Sequence, residues 1–132
     1  MHVGGVLVFD GHVPRDAIVR RLEERIHLVP HYRMRLRASA PLGLSHPVWE
    51  EDPGFGAERH VRAVPWPAPG DDAALAQVVS AAMSERLDRR RPLWELLVAH
   101  SEETGRTAIV AKLHHALVDV DHHCRERVAH PP

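Results

Sequence analysis

Apolar and polar positions along the chain follow two rhythms. Val3 to Phe9 is a short, β-branched apolar run that predicts a buried strand, and Asp10-Gly11 after it is a turn signal. Pro14 opens a helix that reaches about Leu28, with Asp16 in its first turn. Ile18, Leu22 and Ile26 recur at every fourth position with Val19 beside them, forming one buried stripe, and Pro30 ends the segment. Residues 31–57 hold many prolines and glycines and predict an extended, loop-rich crossing, in which Val48-Trp49 can form a short strand. His60 to Trp66 alternates weakly and predicts another strand before the breaker cluster Pro67-Ala68-Pro69-Gly70. Asp71 and Asp72 can cap a second helix running to about Arg86, with Leu75, Val78, Val79, Ala82 and Met83 on its buried face. Leu93 to Ala99 and Thr107 to Leu113 predict two more strands, and the polar link Ser101-Glu102-Glu103-Thr104-Gly105 suits a hairpin between them.

Composition narrows the classes. A chain of 132 residues fits one ordinary domain, and that size buries roughly two-thirds of its unfolded surface. A formal net charge of −1 gives no global attraction to nucleic acid or to an anionic membrane. The single cysteine, Cys124, excludes an internal disulfide framework and fits a reducing compartment. No apolar run approaches the ~20 residues of a membrane helix. The N-terminus lacks the basic start and cleavage site of a signal peptide. The 12 histidines are unusual and direct attention to where they cluster.

They cluster most tellingly in Lys112-Leu113-His114-His115-Ala116-Leu117-Val118-Asp119. Two adjacent histidines follow an apolar run, with an aspartate four residues after the second. An imidazole can accept a proton near neutral pH, and a carboxylate can orient it or its loop. The pair stands at the end of a predicted strand, where a rigid backbone meets a loop that can present side chains.

This segment resembles the HHxxxDG signature of acyl-CoA-dependent acyltransferases. Arg91-Pro92-Leu93-Trp94-Glu95 resembles the PLW motif (Pro92, Leu93, Trp94) of the bacterial wax ester synthase/diacylglycerol acyltransferase family, and the resemblance extends back to Leu87. The run from Pro41 to Trp49, Asp52-Pro53, His60-Val61-Arg62 and the opening Met1-His2-Val3-Gly4-Gly5 are similar to the same family, so the likeness covers residues 1–119. It implies an α/β (α+β) chloramphenicol-acetyltransferase-like, CoA-dependent acyltransferase fold, of which this chain matches the N-terminal half only. It also implies transfer of a fatty acyl group from acyl-CoA to diacylglycerol or a long-chain alcohol. His115 would be the general base, His114 its neighbour, and Asp119 the residue that orders the loop. No cofactor is implied, since acyl-CoA is a co-substrate. The expected location is cytoplasmic and peripheral to the inner membrane, with contact to membrane or lipid droplet and no nucleic acid partner.

Val120 stands where the signature has glycine, and the resemblance stops after Asp119. Residues 120–132 are therefore expected to be a divergent tail, produced by truncation or a shifted reading frame, and Met1 to be an internal start. A weak or inactive fragment is the corresponding expectation, with self-association through the exposed half-domain face. Two other classes stay open. His114, His115, Asp119, Asp121, His122, His123 and Cys124 offer nitrogen, oxygen and sulfur donors to zinc or nickel, although no standard spacing is present. A non-catalytic interaction module is the third. Arg86, Arg89, Arg90 and Arg91 read as a solvated helix end that could meet CoA phosphates. His31 to Arg37 reads as an exposed edge strand that could touch an anionic lipid surface. Trp94 reads as core, and Trp49 and Trp66 as packing anchors.

Overall fold

The expected alternation of strands and helices is realised in a computed structural model that describes residues 2–37, 48–87 and 91–114. β1 (His2–Asp10) turns at Gly11, whose φ of 102° favours glycine, into α1 (Arg15–Arg25). Pro14 is the extended N-cap of α1, and Asp16 lies in its first turn, where a negative charge suits the helix dipole. The helix does not run straight to Leu28. It tightens into a 3-10 turn at Ile26–Leu28, and a second such turn occupies Pro30–Arg33.

The proline-rich crossing contains both strands expected of it. β2 (Met34–Arg37) pairs antiparallel with β3 (Val48–Glu51) as a separate two-stranded sheet. Arg35 Nε lies 3.0 Å from Glu50 Oε1, and Arg33 pairs with Glu51 at 3.5 Å. Carboxylates of β3 thus answer Arg33 and Arg35.

A 3-10 turn at Ala57–His60 leads into β4 (Val61–Pro65), and α2 (Asp72–Ser84), β5 (Trp94–His100) and β6 (Arg106–His114) complete the described chain. Asp71 caps α2, its side chain accepting from the Ala74 N–H at 2.9 Å. The predicted hairpin forms: Gly105 has φ 73° and its N–H donates to the Ser101 carbonyl at 2.8 Å.

The sheet order is β1-β6-β5-β4. β6 lies between β1 and β5, antiparallel to both, while β4 runs parallel to β5 with α2 as the crossover. Side chains alternate along each strand, so each helix finds its own apolar surface. Ile18 and Val19 of α1 pack on Val61 and Val98, with Leu22, Leu96 and Ile109 alongside. Leu75 and Ala82 of α2 meet Leu97, Ala99, Ala108 and Val110 on the opposite face, with Trp66 closing one end. Gly4 of β1 belongs to this second face. A Cβ there would overlap the terminal methyl of Met83 and come within 2.9 Å of the Ala111 carbonyl oxygen, so only glycine lets α2 approach β1 this closely.

Candidate functional site

The motif strand is an interior strand of the sheet. β6 is hydrogen-bonded on both sides, and its last residue, His114, aligns with His2 of β1. The His114 N–H donates to the Leu93 carbonyl at 2.9 Å, which ties the histidine motif directly to Pro92-Leu93-Trp94. The far end of β6 is fixed as well. The Thr107 hydroxyl donates to the Gly11 carbonyl at 2.7 Å and accepts from the Val13 N–H at 3.1 Å.

Pro92, Leu93 and Trp94 are all buried. Trp94 joins separate parts of the chain. Its indole N–H donates to the Tyr32 carbonyl at 2.7 Å, and its ring stacks on His60 at 4.5 Å with an interplanar angle of 20°. His60 Nδ1 lies 2.8 Å from the Trp94 carbonyl. A carbonyl only accepts, so the proton is on Nδ1. Burial lowers the His60 pKa; the bond to the Trp94 carbonyl opposes this and the charge of Arg91 adds to it. His60 is a neutral structural partner of Trp94, a role that its placement at the start of a predicted strand did not suggest.

Sequence reasoning also missed Lys112. It lies two residues before His114 on the same strand face, and it is only 1% exposed. Its ammonium donates to the Glu85 carbonyl, just past the end of α2. Glu95 is its cross-strand partner, and Arg62 reaches Glu85 and Glu95 at 3.0 Å each. Burial lowers the Lys112 pKa, opposed by Glu95 and Glu85 and reinforced by Arg62. The available signal was one charged residue within the apolar run Thr107 to Leu113.

His115 and Asp119, the expected base and loop-ordering residue, lie outside the described residues, as do Val120 and the donors Asp121, His122, His123 and Cys124. Arg89 and Arg90 do too, while Arg86 and Arg91 are exposed. Among the described residues no group of three or more His, Cys, Asp or Glu is placed to hold a metal. The arrangement can therefore do one thing well: hold the end of β6 rigidly and deliver an imidazole there.

Comparison with known proteins bears on what that imidazole serves. The family described as the wax ester synthase/diacylglycerol acyltransferase catalytic domain matches residues 1–120. A probable diacylglycerol O-acyltransferase of Mycobacterium tuberculosis is 36% identical over 118 residues, 89% of this chain and 25% of its own length. A second is 32% identical over 143 aligned positions, which take in all of this chain and 52% of the relative. The chain thus spans between a quarter and about half of these relatives. Among solved structures, the wax ester synthase/diacylglycerol acyltransferase of Marinobacter aquaeolei VT8 superposes with a TM-score of 0.68 at 32% identity, over 90% of this chain and 30% of that one. The first condensation domain of the CDA synthetase superposes at 0.62 with 15% identity, over 86% of this chain and 30% of that one, a likeness of fold alone.

Proposed function

The chain belongs to the wax ester synthase/diacylglycerol acyltransferase family, and from this premise we propose that it supplies the histidine-bearing strand of an O-acyltransferase. The reaction moves a fatty acyl group from acyl-CoA to the hydroxyl of diacylglycerol or a long-chain alcohol. His115 takes the proton from that hydroxyl as its oxygen attacks the thioester carbonyl. The C–S bond then breaks, and the CoA thiolate leaves with the proton. General-base help of this kind contributes ~10²–10⁴-fold in rate. His114 is the neighbour that continues the strand, and Asp119 orders the loop.

One observation carries this reading beyond family membership. The last described residue of the motif strand, His114, is bonded through its backbone to Leu93 of the second motif, so two segments about twenty residues apart act as one unit. Residues 1–119 form the acyltransferase portion in this reading, and 120–132 a divergent tail. Contact with lipid is peripheral and on the cytoplasmic side of the inner membrane; no helix among the described residues is long and apolar enough to cross a membrane. The outer edge of β1 supports self-association.

The test is release of CoA thiol from palmitoyl-CoA, with hexadecanol or diacylglycerol present, by the chain and by His115→Ala. Acceptor-dependent release lost in the variant is the expected result. It is expected to be slow, because a β-branched Val120 replaces the glycine of the signature turn. Release no greater than that of the variant would sink the proposal that this chain by itself carries the activity, and would leave its family membership standing.

A further inference from the structure

The two edges of the four-stranded sheet are not alike. β4, at one edge, finishes at Pro65, which has no N–H to offer. It also carries Arg62, whose guanidinium is held by Glu85 and Glu95 at 3.0 Å each. Proline and charge on an edge strand discourage pairing with another chain. β1, at the other edge, carries neither between His2 and Asp10. The helices leave it bare as well. α1 packs over β4 and β5, and α2 over β5 and β6, so among the described residues none of β1 enters the buried core clusters. Val6 and Val8 are exposed on one face of β1, Leu7 and Phe9 on the other, Leu7 to 62%.

The free backbone groups of this edge follow from the ladder beside it. In an antiparallel strand the N–H and C=O of one residue point to the same neighbour, and successive residues alternate sides. Gly11, one position past the end of β1, donates its N–H to the Gly105 carbonyl in continuation of the β1–β6 register. Odd-numbered residues of β1 therefore face β6. The other side of β6 agrees, because its even-numbered residues Arg106 and His114 bond to Ser101 and Leu93, along the line of β5. Gly4, Val6 and Val8, with His2 and Asp10 at the ends, thus turn their backbone groups outward, and no strand among the described residues receives them.

We propose that β1 pairs antiparallel with β1 of a second copy of this chain, across a two-fold axis at Val6, joining two four-stranded sheets into one. Outward residues must meet outward residues, and only a centre at Val6 uses the strand along its full length, with His2 opposite Asp10. That register places Leu7 opposite Gly5 of the second copy. A Cβ added at Gly5 would meet nothing within 4 Å, so the exposed leucine enters open space. Leu7 and Gly5 form a pair of the kind without backbone hydrogen bonds, in which side chains approach closely. On the other face Val8 falls opposite Gly4, where Met83 of α2 supplies an apolar neighbour, and Val6 meets Val6. Large side chains thus face glycines in both directions. The strand is complementary to itself, as a two-fold interface requires. This inference deepens the self-association reading and rests on it; acyl transfer does not enter.

Cysteine cross-linking reads the register. In a Cys124→Ser background, Val6→Cys puts two thiols on the axis, with Cα atoms about 5.5 Å apart, inside the ~4.4–6.8 Å that a disulfide spans. Val8→Cys puts its two thiols roughly 14 Å apart, beyond that reach. Oxidised glutathione is expected to yield a covalent dimer of Val6→Cys, and at least tenfold less of Val8→Cys. Leu7→Ser changes an exposed side chain, so it should fold with an unchanged circular dichroism spectrum. It should nonetheless raise the dimer dissociation constant in sedimentation by about tenfold or more. Leu28→Ser, 69% exposed and away from β1, should leave that constant unchanged. Cross-linking of Val8→Cys as fast as Val6→Cys would overturn the register and leave self-association standing. A dimer indifferent to Leu7→Ser would overturn the β1 contact in the same way. A chain that stays monomeric at every concentration would overturn both, and would mean that another segment covers this edge.

Discussion

His60 illustrates how one buried residue couples the site to solution conditions. Its folded-state pKa lies below the ordinary 6.5, chiefly through burial. Above pH 6.5 the imidazole is neutral in folded and unfolded chains alike, and its contribution to stability is fully present. As pH falls below 6.5 the unfolded chain takes up the proton first, so stability is lost until the lowered folded pKa is passed. His60→Phe keeps a ring against Trp94 but cannot titrate. Urea unfolding from pH 7.5 down to 5 should therefore show a steeper loss for the native chain than for the variant. Parallel curves would mean that His60 charges freely in the folded state. Trp94 was expected to be core from its sequence context; that its neighbours would be His60 and Tyr32 was not legible, because they come from turns far away in the chain.

Among the elements, β6 matters most, and Lys112 is its unexpected fastening. An ammonium that is almost inaccessible, bonded to the carbonyl beyond the end of α2, joins the motif strand to the helix on its far face. Lys112→Ala removes both the hydrogen bond and a long packed stem, and is expected to lower stability by about 2–4 kcal/mol. Lys112→Met keeps most of the stem and should cost less, since apolar replacement of a buried ion is often tolerated. The midpoint of urea denaturation measures both, and equal losses would show that the stem contributes nothing. Element identity was well marked in the sequence by apolar period, by Asp71 as a cap and by Gly105 at the hairpin. Element ends were less so. α1 yields to a 3-10 turn at Ile26, and α2 stops at Ser84 rather than Arg86. Met34–Arg37 was legible as a strand from its alternation, but its pairing with β3, about fifteen residues away, was not.

At the scale of the whole molecule, β1 is the outermost strand next to β6. It carries Val6, Leu7, Val8 and Phe9, between 40% and 62% exposed, on its two faces. A long apolar edge is a template for pairing with another chain. Sedimentation at rising concentration is expected to show self-association, and Val8→Lys, which places a charge on this edge strand, should suppress it. Concentration-independent sedimentation of the native chain would rule this out.

The sequence by itself determined the order and kind of the elements, the family, and the two motifs that meet at the end of β6. These are written in local period, in turn residues and in fixed spacings, all properties of neighbours along the chain. Only the tertiary structure decided that β6 would lie between β1 and β5, that Leu93 would hold His114, that Lys112 would be buried, and that Gly4 would lie against Met83 of α2. Those facts depend on which distant segments share a surface. Strand order and helix placement settle that, through burial of apolar area and pairing of backbone groups over the whole chain.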